Sequence, residues 1–143
     1  MARSSDFDLD RFVTAQARQY AQALAELTAG AKRSHWIWFV FPQIAGLGQS
    51  ETARFYAIAS LAEARAYLAH PLLGPRLHEA TAALLRHPDR SAETMLGGID
   101  ATKLRSSLTL FLEAGAGAPL DTALRTFFGG EHDAATLRLL AVG

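Results

Sequence analysis

The chain has no cysteine, which excludes disulfides, thiolate nucleophiles and cysteine-bearing zinc sites together. It has almost no lysine either. Of 14 basic residues only Lys32 and Lys103 are lysine, the rest being arginine. The two differ in chemistry where an amine or a compact point charge is required, so each retained lysine marks a candidate site, with chance retention on the surface as the plain alternative. Formal net charge is zero, so the broad basic field that drives non-specific nucleic-acid binding is missing. Nucleic acid is therefore expected only as the source of a modified-base substrate. No apolar run approaches the roughly 20 residues that span a bilayer, Trp36 to Phe41 being the densest, and no membrane partner is expected. Met1 to Asp10 is polar and acidic where a secretory signal would be basic and then apolar, which makes the expected location cytoplasmic. His35, His70, His78, His87 and His132 form no His-x-x-x-His pair, so neither a metal nor another cofactor is expected. A Gly-x-Ser-x-Gly nucleophile elbow is absent as well.

What is present is a globular composition, half hydrophobic and a fifth charged over 143 residues. That length suits one domain, residues 1–143, with 1–7 read as a flexible tail. From Leu9 to Leu27 the apolar residues recur at helical spacing, and Gly30 ends the pattern. His35 to Phe41 is aromatic and β-branched and stops at Pro42, a pattern compatible with a short buried strand or a packed helical turn. Pro42 to Gln49 reads as a loop, with Ser50 as N-cap of a helix carrying Phe55, Tyr56 and Ile58. Ser60 and Glu63 form a capping box for the next helix, which His70-Pro71 stops. Helical spacing resumes over Leu72 to Leu85, with a break or kink expected at Gly74-Pro75. Ser91 and Asp100 are read as caps of two further helices, and Pro119 and Asp133 as starts of the last two. The sum is a mainly α fold of about seven to eight helices, with at most a small β element near Trp36 to Phe41.

Three groups of residues could carry chemistry. Gly46-x-Gly48-x-Ser50 at a helix start offers free amides and a positive dipole end to a phosphate, although an ordinary capped turn explains the same string. Lys32, His35, Trp36, Trp38 and Gln43 place an ammonium, an imidazole and an amide beside ring surfaces, a combination that suits a base or nucleotide. The plain alternative is that the aromatic residues are core. Asp100, Lys103, Ser106 and Ser107 share a helix, where lysine and hydroxyls can meet a ligand phosphate or where the serines only let helices pack closely. Glu51 is a carboxylate in a first helical turn, a candidate acid/base that capping also explains.

The string Lys32 to Gln43, with Gly46-Leu47-Gly48-Gln49-Ser50, Tyr56-Ala57-Ile58, His70 to Gly74 and Asp100 to Phe111, closely resembles a bacterial family of unknown function, domain-of-unknown-function family 1810, sometimes labelled calpastatin-like. Resemblance to that family implies a small multihelical fold and no established activity. A more distant similarity is to the NADAR group, which cleaves N-glycosidic bonds of ADP-ribose or ribosyl intermediates. There an aromatic-Pro segment precedes a Thr/Ser-x-Glu-His helix that later carries a lysine. Phe41-Pro42 and Ser50-Glu51 look like the corresponding points, while Thr52 stands at the histidine position and Ile58 at the lysine position. Only Glu51 carries over, so the resemblance would require Lys32 or Lys103 to supply any amine. The resulting expectation is a nucleotide- or ribosyl-phosphate-binding domain with N-glycosidase activity. Glu51, Lys103, Lys32 and His35 would act around the ribose, and Trp36, Trp38, Gln43, Gly46, Gly48, Ser50, Tyr56, Asp100, Ser106 and Ser107 would bind. A non-catalytic ligand sensor and a protein-interaction module are the alternatives.

Overall fold

The computed structural model describes residues 7–142, which hold nine α-helices and no strand. Residues 1–6 of the expected tail lie outside that range, whereas Phe7 packs partly against the core. The helices are α1 (Asp10–Ala29), α2 (Ile37–Val40), α3 (Glu51–Phe55), α4 (Leu61–Ala69), α5 (Leu73–Leu84), α6 (Ala92–Leu96), α7 (Gly98–Glu113), α8 (Leu120–Phe128) and α9 (Ala134–Val142). The fold is mainly α, and the buried hydrophobic side chains form one cluster. No described helix is long and apolar enough to cross a membrane.

Two long helices organise the rest. α5 packs on α1, α4 and α8, and α7 packs on α4, α6, α8 and α9. The aromatic run resolves as the single turn α2, wedged among α1, α5 and α7. Helix fits there because the turn buries Ile37, Phe39 and Val40 among α1, α5 and α7, whereas a strand would leave its backbone polar groups without a partner strand. The β element reduces to one parallel bridge, Ile44 to Ile58, away from the aromatic run. Ala45 N donates to Ile58 O and Ile58 N to Gln43 O, each at 2.8 Å. The chain thus leaves the core at Ile44 and returns beside it, with α3 on the excursion.

Local chemistry explains most helix ends. Gly30 closes α1 in the left-handed region at φ 73°. Ser50, Ser60 and Ser91 cap α3, α4 and α6 by accepting from the amides of Ala53, Glu63 and Thr94. Glu63 completes its box one residue early, accepting from the Ala59 amide at 2.7 Å. Two expectations change. Gly74-Pro75 does not kink a helix but lies in the first turn of α5, where a missing N–H costs nothing. A Cβ on Gly74 would stand 2.1 Å from the Leu68 carbonyl oxygen, so α4 and α5 can meet this closely only at glycine. Asp100 is not a cap either, because α7 starts from Gly97 and leaves the Asp100 carboxylate to other partners.

Candidate functional site

The site is built outward from a buried carboxylate. Glu26, on α1, accepts from the amides of Arg33 and Ser34 at 2.8 and 3.0 Å, from Ser34 Oγ at 2.7 Å and from the Trp36 indole N–H at 2.9 Å. Burial opposes its ionisation, but these donors outweigh burial and hold the carboxyl down at about 2. The segment from Arg33 to Trp36 is therefore clamped to α1. Gln16 secures the next turn, its amide donating to the Phe39 carbonyl at 2.7 Å and the Tyr67 hydroxyl at 3.1 Å.

On this frame the chain's two lysines converge on one acid. Lys32 Nζ lies 2.7 Å from Asp100 Oδ2, and Lys103 Nζ lies 3.6 Å from Asp100 Oδ1. Lys32 sits 5.1 Å from the Trp36 ring and Lys103 4.7 Å from the Trp38 ring, so each ammonium also faces an indole. Segments about seventy positions apart thus meet. The two amines differ in access: the Lys32 side chain is 8% exposed and the Lys103 side chain 22%.

Around this cluster the expected site residues divide between two clefts. One, of about 540 Å³, is lined by His35, Trp38, Glu51 and Tyr56 together with Phe39, Thr52 and Phe55. The other, of about 420 Å³, is lined by Gln43, Gly48, Lys103 and Ser106 with Leu47, Ile99, Thr102, Asp133 and Ala135. Lys103 resting on Trp38 joins them. The first is aromatic and carries an imidazole and a carboxylate; the second offers an ammonium, a hydroxyl and an amide.

Six expected contributors line neither cleft, among them Asp100, the partner of both lysines. Trp36 is fully buried with its indole N–H on Glu26, so it is core and not a stacking surface. Ser107 is fully buried in α7, which makes it a packing residue. Lys32 lines neither cleft and holds Asp100 from below. In the glycine loop, packing accounts for both glycines. Leu139 covers Gly46, 3.2 Å from where a Cβ would stand, and Gly48 is needed because a Cβ would meet that of Ala53 at 2.3 Å. Ser50 spends its hydroxyl on the Ala53 amide.

Sequence reasoning missed Glu26, Gln16 and Asp133. For Gln16 a signal existed, since it stands four residues from both Phe12 and Tyr20, on the buried stripe. Glu26, next to Leu27 and three after Ala23, is likewise a polar residue on the inward face.

The chain belongs to the family described as protein of unknown function DUF1810, whose profile matches residues 6–140. It is similar to the conserved hypothetical protein Rv1873 from Mycobacterium tuberculosis, whose crystal structure superposes with a TM-score of 0.94 at 51% identity, over 96% of this chain and 99% of that one. No curated protein matches the chain.

Proposed function

We propose that the protein binds a small ligand of the nucleotide or ribosyl-phosphate class, its planar ring in the aromatic cleft and its phosphate beside Lys103. The observation that carries this reading is the convergence of the only two lysines on Asp100, each with its ammonium over one of the only two tryptophans. An ion pair alone would be served by arginine, which this chain uses everywhere else. A compact ammonium over a half-buried indole, open to a cleft holding His35 and Tyr56, suits a ligand that is flat at one end and anionic at the other.

Tryptophan fluorescence and thermal melting test this with adenosine monophosphate, ADP-ribose, ribose 5-phosphate and inorganic phosphate. A binder raises the melting temperature and quenches Trp38. Trp38→Ala and Lys103→Ala should each weaken binding by about tenfold, the size of one stacking or phosphate contact. If none of the four probes changes either signal, the ligand reading fails and an interaction module takes its place.

The presence of Glu51 and His35 in one cleft favours a second reading, in which the bound N-glycosidic bond is hydrolysed. Glu51 would act as acid/base and the reaction would release free base or ribosyl phosphate. Glu51→Gln should abolish release without changing the melting temperature. Ligand-induced stabilisation with no product identifies the sensor alternative.

A further inference from the structure

α9 is attached differently from every helix around it. Among its residues only Thr136 is buried, whereas α7 buries eight. Leu139 and Leu140 pack partly against the core, and the rest of its anchor is polar. Asp133 Oδ2 accepts from Ser106 Oγ at 3.2 Å, from the Thr136 amide at 3.0 Å and from the Thr136 hydroxyl at 2.5 Å. The Asp133 amide donates to Thr109 Oγ1 at 2.9 Å, and Arg105 holds the carbonyls of Glu131 and His132 at 2.8 and 2.9 Å. Hydrogen bonds of this kind exchange for water at small net cost, whereas a fully buried apolar face does not, so α9 opens more readily than α7. Just before it, Gly129 and Gly130 are both at positive φ, 63° and 78°, a pair of residues able to absorb a rotation.

The same latch forms a wall of the Lys103 cleft, which Asp133 and Ala135 line. While α9 is docked, the Asp133 carboxylate lines the same cleft as Lys103, whose ion-pair partner is Asp100. Its negative charge opposes an incoming anion there. When α9 leaves, Asp133 leaves with it and one positive charge is uncovered beside the Gln43 amide.

We infer that α9 is a retractable wall that regulates the anion end of the site: docked, it carries Asp133 in and neutralises the cleft; undocked, it arms Lys103 for a phosphate. The wall itself stands on α9 alone, and only the identity of the anion rests on the ligand reading above.

Three measurements on the full chain decide it. In hydrogen exchange of the wild type, amides of residues 137–142 should exchange at least about tenfold faster than those of α7, through local opening. Equal protection overturns the proposal. In reductive methylation read by mass spectrometry, Asp133→Ala should label Lys103 about tenfold faster than wild type and leave Lys32 unchanged, the loss of one cap and latch. Equal Lys103 rates overturn it too. Asp133→Asn keeps a capping side chain and removes the charge, so inorganic phosphate should protect its Lys103 at a concentration about three- to tenfold lower than in wild type. The same protecting concentration in both proteins defeats charge regulation. Phosphate protection in neither, with α9 still opening, removes the ligand reading as well; phosphate protection with a closed α9 keeps that reading and removes the wall.

Discussion

Lys32–Val40 and Gly46–Phe55 are segments of similar length that line the same aromatic cleft, and they are held in opposite ways. The first is pinned by buried polar anchors, Glu26 beneath Arg33, Ser34 and Trp36 and Gln16 beneath Phe39. The second carries α3, which buries none of its residues and leaves Phe55 57% exposed. Arg11 ties down its far end by donating to the carbonyls of Phe55 and Ala57, each at 2.8 Å. Groups on the first segment therefore keep their geometry in the empty protein, while groups on the second can adjust to what enters. The aromatic cleft thus has one fixed wall, bearing His35, Trp38 and Phe39, and one adaptable wall, bearing Glu51, Thr52 and Phe55.

Breaking the fixed side should have the largest effect. Glu26→Ala strands the Trp36 indole and two backbone amides, and should cost roughly 3–5 kcal/mol in urea unfolding. A loss below about 1 kcal/mol would mean that water replaces the carboxylate, and the contrast between the segments would lapse. Acid should work on the same residue more gently. Because the folded carboxyl lies at about 2 and the free one at 4.5, its contribution is complete above 4.5 and is lost as pH falls through 2. The full amount is roughly 3 kcal/mol, from about 1.4 kcal/mol per pH unit. Glu26→Gln should flatten that part of the stability curve between pH 4.5 and 2, and an unchanged slope would place the acid sensitivity elsewhere. The smallest effect belongs to the adaptable side. Ser50→Ala removes a cap worth about 1 kcal/mol to an isolated helix, yet should change global stability by less than about 0.5 kcal/mol, because α3 contributes no burial. Faster amide exchange at Ala53 with an unmoved melting temperature is the expected pattern, and a large drop in melting temperature would show that α3 belongs to the core after all.

What could be read from the residues follows the range of the forces involved. Gly30, Ser60 with Glu63, Ser91 and Asp133 mark helix ends through contacts a few positions away, and those ends fall where the spacing predicts. The run Trp36 to Phe41 was ambiguous because its conformation is decided by α1, α5 and α7, none of them adjacent in sequence. Gly46 and Gly48 looked like an anion loop because the reasons for both glycines, Leu139 and the side of α3, are visible only in three dimensions. Asp100 reads as a cap because its ion pair with Lys32, from a segment far away in sequence, cannot be seen in the local pattern. Scarcity proved a better guide than motif: the two lysines stood out by number alone, and they do meet.

The bridge between Ile44 and Ile58 has a consequence for how such a protein can diversify. Since the backbone departs and rejoins at nearly one point, the excursion between Gly46 and Phe55 can change in length without moving the two places where it joins the scaffold. Lengthening or rewriting it would redraw the rim of the aromatic cleft and, through Leu47 and Gly48, one side of the Lys103 cleft, while the ion pairs of Asp100 stay in place.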